Sequence, residues 1–111
     1  MAIINRRFTY RGRIKVSNKD LNLARIGRKT CTIRLGQLSV GQKIMYLSDG
    51  RESLRVEILN VDNRRVYSEL TDHDAVMDGL ESKKQLDEDL RKFYGEIDPN
   101  QPMTVIYFRV L

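Results

Sequence analysis

The chain has 111 residues, with 20 Lys/Arg against 15 Asp/Glu and a net charge of +5. That length suits one domain, residues 1–111, with room for one modest core. No apolar run approaches the ~18 residues of a membrane span, and one cysteine (Cys31) with one histidine (His73) excludes an intrachain disulfide and a Cys/His zinc cage.

The charge is unevenly spread. Residues 1–55 carry 13 Lys/Arg and 3 Asp/Glu, whereas residues 56–111 carry 7 and 12. Such asymmetry points to a basic face of the kind that meets phosphates. The opening Met-Ala-Ile-Ile-Asn-Arg-Arg lacks the apolar stretch of a secretory signal, so a cytoplasmic location is expected. Residues 1–9 read as a basic arm. Arg6, Arg7, Arg11, Arg13 and Lys15 either contact phosphate or solubilise a mobile terminus.

In chain order, Phe8 to Val16 reads as a basic strand. Ser17 or Asn18 caps a short helix that carries Leu21, Leu23, Ala24 and Ile26 and ends at Gly27. Thr30 to Leu35 alternates as a strand, and so does Lys43 to Leu47. Asp49-Gly50 predicts a hairpin to Ser53–Val61. Asp62-Asn63 predicts a turn into a further strand over 65–70. Thr71-Asp72-His73-Asp74 and Ser82-Lys83-Lys84-Gln85 are capping-box patterns. After the second, Leu86, Leu90, Phe93 and Tyr94 recur at helical spacing and predict one buried stripe. Tyr46, Tyr67 and Phe108 read as core, and Met103 to Leu111 as a closing central strand. The class is α+β: five or six mostly antiparallel strands in a small barrel, with two or three short helices.

The chemistry concentrates in Gly27-Arg28-Lys29-Thr30-Cys31-Thr32-Ile33-Arg34. Strand alternation puts Thr30, Thr32 and Arg34 on one face and Cys31 and Ile33 on the other, the second pair being residues that cores prefer. Arg28 and Lys29 lie at the loop end of the polar face. Three cations and two hydroxyls suit phosphate, carboxylate or a base edge. A solvated amphipathic edge strand is the plainer alternative. Cys31 and His73 form a nucleophile pair only on paper, because Cys31 reads as core.

Gly27, Lys29 and Arg34 match the G-x-K-x-x-x-x-R pattern, and the chain resembles the ASCH family, similar to PUA-type RNA-binding modules. The likeness extends over about residues 10–111. It takes in Thr32-Ile33-Arg34-Leu35-Gly36, Val40-Gly41, Glu69-Leu70-Thr71-Asp72, Asp74-Ala75, Leu90 to Gly95 and the last strand. It implies a PUA-like barrel that binds RNA, a ribonucleoside or a nucleotide beside the motif, at Gly27, Arg28, Lys29, Thr30 and Arg34. It implies no metal or cofactor and no membrane.

Some small bacterial ASCH proteins remove the acetyl group of N4-acetylcytidine. In them a motif lysine is the base, a threonine three residues later the nucleophile and a downstream glutamate the proton donor. The resemblance carries the first two roles to Lys29 and Thr32. A lysine can be such a base only if its pKa falls, which the like charges of Arg28 and Arg34 and partial burial favour. The glutamate position falls on Asp78, one methylene shorter, and an error of about 1 Å in a catalytic group costs on the order of 100-fold in rate. Glu69 and Glu81 do not sit at the matching place. At its helix end, Asp78 opposes the helix dipole by roughly 0.3–1 kcal/mol. Either it faces Lys29 across a cleft or it is a solvated surface aspartate. His73 reads as a surface residue at a helix start and Tyr94 as core edge. RNA cleavage is disfavoured by the lack of a histidine acid/base pair.

Overall fold

The computed structural model describes residues 2–111, so Met1 of the expected domain and arm lies outside the described residues. The elements run β1 (Thr9–Tyr10), β2 (Arg13–Lys15), α1 (Asn18–Arg25), β3 (Cys31–Leu35), β4 (Ser39–Val40), β5 (Ile44–Ser48) and β6 (Ser53–Val66). A 3-10 turn (Tyr67–Glu69), α2 (Asp72–Met77), α3 (Lys83–Tyr94) and β7 (Pro102–Val110) complete the chain. No described helix is long and apolar enough to cross a membrane.

Five strands form one sheet in the order β2-β5-β6-β7-β3. β5–β6, β6–β7 and β7–β3 pair antiparallel, and β2–β5 pairs parallel. β1 and β4 form a separate parallel pair. The α+β class and mostly antiparallel pairing agree with the sequence. The barrel remains open, because β2 and β3 are edges of the same sheet and no described backbone ladder joins them. One side chain spans the gap: Arg34 of β3 donates from Nη2 to the Lys15 carbonyl of β2, 2.8 Å away.

β7 is central, as its composition predicts. Met103 and Val105 enter one apolar cluster with Cys31, Ile33, Leu86 and Leu90. Ile106 and Phe108 enter a second cluster with Ile14, Leu21 and Ala24. Strand alternation delivers one strand to both faces of the sheet, so the expected single core is two clusters, under α3 and under α1.

Several local expectations change. The basic strand divides into β1 and β2, which pair with different partners. The Asp62-Asn63 turn is instead part of the 14-residue β6, whose register against β7 shifts between Ile58 and Asn60 and again between Asp62 and Arg65. A bulge absorbs extra residues without ending the pairing, and residues 67–69 form the 3-10 turn in place of strand. Tyr46 is half exposed, while Tyr67 and Phe108 are buried. The N-terminal segment lies along residues 37–41: Gln37, Ser39 and Gly41 donate N–H bonds to the carbonyls of Arg6, Phe8 and Tyr10. Gln101 anchors it further, accepting from the Ile4 N–H and donating to the Ile4 carbonyl.

Candidate functional site

Ser17 caps α1, its hydroxyl accepting from the Asp20 N–H at 3.1 Å. Past the helix, Gly27 takes φ +78° and the chain reverses. The N–H groups of Arg28 and Lys29 both donate to the Leu23 carbonyl, at 2.9 and 3.1 Å. This tight turn sends neighbouring side chains in opposite directions: Arg28 is exposed, whereas Lys29 is only 3% exposed. Thr30, just before β3, donates its N–H to the Met77 carbonyl at 2.8 Å and accepts from the Phe108 N–H at 3.1 Å. Gly27, Arg28 and Thr30 line a shallow groove of about 320 Å³ with Val76 and Met77. None of the three lines the cleft that holds Lys29, Thr32 and Arg34.

Asp78 arrives from the other side. α2 is fixed at its start by a capping box, with Thr71 Oγ1 accepting from the Asp74 N–H and Asp74 Oδ2 accepting from the Thr71 N–H. Asp74 also pairs with Arg65 at 2.6 Å. Burial pushes the Asp74 carboxyl up, but these donors together hold it below the usual value. One helix length later Asp78 ends α2, and Gly79 turns the chain at φ +89°. That positive φ favours glycine, and a Cβ there would crowd Leu23 Cδ1 at 3.0 Å and meet Lys29 Cβ at 3.5 Å.

The result is a contact between Lys29 and Asp78. The ammonium donates to the Asp78 carboxylate and, at 3.3 Å, to its main-chain carbonyl. A cation at the C-terminal end of α2 offsets the carboxylate placed there against the dipole. Of the two readings left open for Asp78, the one in which it faces Lys29 holds. Burial pushes its carboxyl up to about 6, against the opposing pull of Lys29.

Thr32 and Arg34 complete the cluster. Thr32 is 3% exposed, and its Oγ1 accepts from Arg34 Nε at 3.1 Å. This bond uses a lone pair and leaves the hydroxyl hydrogen free to be donated. Cys31 and Ile33 point into the core as expected. Burial pushes the Cys31 thiol up to about 12, while His73 is exposed, so the two make no nucleophile pair.

Lys29, Thr32, Arg34 and Asp78 line one cleft of about 680 Å³. It opens at the unclosed seam between β2 and β3, with α1 and α3 on its flanks. Sequence reasoning missed the α3 wall. Leu86 and Leu90 are buried, but Phe93 is 82% and Tyr94 39% exposed, and all four line the cleft. The stripe predicted as wholly buried outruns the sheet and continues over open space. Lys15, Lys19 and Lys92 add cations to the lining, and Asp20 and Asp89 add carboxylates.

No family model and no curated protein matches the sequence. Solved structures do. An ASCH domain from Lactobacillus crispatus JV V101 superposes with a TM-score of 0.69 at 20% identity, over 84% of this chain and 70% of that one. A protein of Enterococcus faecalis V583 assigned to the DUF984 family gives 0.61 at 19% identity, over 85% and 71%. The hypothetical protein PH0355 gives 0.65 at 16% identity, over 92% of this chain and 100% of its own.

Proposed function

We propose that this chain, an α+β protein with the ASCH-domain fold, binds RNA or a ribonucleotide in the cleft at the β2–β3 seam. One observation carries the reading. Lys29, Thr32 and Arg34 meet Asp78, 49 residues from Lys29, in a single concavity of about 680 Å³. That volume lies within the ~300–1,000 Å³ of small-ligand sites. Arg34 directs two of its N–H groups to Thr32 and Lys15, which fixes the guanidinium and leaves other donors for a ligand. Five cations against three carboxylates give the lining a positive balance that suits phosphate. The test is titration of labelled single-stranded RNA at low and physiological salt. Affinity should fall steeply with salt, and Arg34→Ala should weaken it. Binding indifferent to both would overturn the reading.

A second reading, hydrolysis of an N4-acetylcytidine-type amide, is favoured by the contact between Lys29 and Asp78 beside Thr32. Transfer of a proton from Lys29 to Asp78 yields an amine and a carboxylic acid. The amine takes the Thr32 hydroxyl proton as Oγ attacks the acetyl carbon, and the Arg34 N–H stabilises the developing alkoxide. The C–N bond then breaks, and Asp78 protonates the departing N4 nitrogen. Water cleaves the Thr32 ester and releases acetate, which restores the threonine. A carboxyl raised to about 6 is suited to proton donation near neutrality. Incubation with N4-acetylcytidine, followed by chromatography, should show deacetylation that Thr32→Val abolishes without loss of fold. Absence of turnover in the unaltered chain would remove this reading.

A further inference from the structure

We infer that Phe93, beside Tyr94, is a stacking platform for the base next to the one held in the cleft, so that the occupant is a single RNA strand of at least two nucleotides. This rests on the ribonucleotide reading above. The α3 stripe seals the core at Leu86 and Leu90 and then carries a phenyl ring past the core's end, about 4.5 Å further along the axis than Leu90. Phe93 is the most exposed large apolar residue among the described residues, at 82%. Its ring is tilted by 56° to that of Tyr94, with centroids 6.4 Å apart, so Tyr94 does not cover its face. A bare aromatic face on the rim of a cleft is the surface on which successive bases of a single strand stack, whatever their identity. The surrounding charge fits a strand. Lys92 adjoins the ring on α3, and Lys15 and Lys19 line the same cleft. Asp89 on α3 and Asp20 on α1 place carboxylates among them, and the balance of the lining stays positive.

The chain has no tryptophan. Phe93→Trp therefore supplies one fluorophore at the platform, and its emission should be quenched when single-stranded RNA is added. Affinity is then compared between a diribonucleotide and its counterpart with an abasic second sugar, which carries the same charge. The unaltered chain should bind the complete dinucleotide about tenfold tighter, and Phe93→Ala should lose that advantage. Equal affinity of the unaltered chain for both compounds would overturn the platform while leaving the cleft reading intact, provided that Arg34→Ala still weakens both. Failure of both compounds to bind would overturn the two together.

Discussion

Lys29 and Asp78 form a largely buried ion pair in which one ammonium touches both the carboxylate and the main-chain carbonyl of the same aspartate. The contact ties the turn after α1 to the end of α2 and thereby sets one wall of the cleft. Removing one partner of such a pair leaves an uncompensated buried charge, at a cost of about 3–5 kcal/mol. Lys29→Met should therefore lower stability by about 3 kcal/mol. The double variant Lys29→Met/Asp78→Leu should lose clearly less than the sum of the two single changes. Urea denaturation of all four chains measures this, and additive losses would show that the two residues are uncoupled.

The same aspartate makes a pH prediction. Its carboxyl is raised from 3.8 to about 6. Between those values the folded chain holds a proton that the unfolded chain has released. The stabilising contribution is therefore complete below about pH 3.8 and is lost as pH rises through about 6. Asp74, Glu57 and Asp49 are lowered and act in the opposite sense, losing their contribution on acidification. They are common to the unaltered chain and Asp78→Asn, so the difference between the two isolates Asp78. That difference should shift against the unaltered chain between pH 4 and pH 7, and a pH-independent difference would contradict the assignment.

Gln101 is 1% exposed and makes three bonds through its amide: from the Ile4 N–H, to the Ile4 carbonyl and to the Pro102 carbonyl. Gln101→Ala should cost about 2 kcal/mol, at roughly 1 kcal/mol per bond less what water restores. It should also free the first residues, so trypsin should cut after Arg6 and Arg7 faster than in the unaltered chain. An unchanged cleavage rate would mean that the bonds at Gln37 and Ser39 hold the segment without Gln101.

Helix starts were legible because a cap needs only residues three apart. Ser17, Thr71 and Ser82 each accept from the N–H three residues on, as their patterns predict. The second box is only half formed, since Gln85 turns its side chain to the Glu81 N–H and not back to Ser82. Sheet register was less legible. Asp62-Asn63 has turn composition, yet pairing with β7 carries β6 through it as a bulge, a decision made by a strand about 40 residues away.

The site divides in the same way. Near-neighbour rules alone place Lys29, Thr32 and Arg34 on a basic stretch between a helix and a strand, with Cys31 and Ile33 turned to the core. These are consequences of capping, glycine conformation and alternation, all of which act between near neighbours. That Lys29 turns inward while Arg28 turns out, that Asp78 meets Lys29, and that Phe93 lines a cleft became legible only in the packed fold. Each of those depends on where separate elements come to rest, through burial, close packing at Gly79 and the gap between two sheet edges, and no periodicity along the chain records such distances.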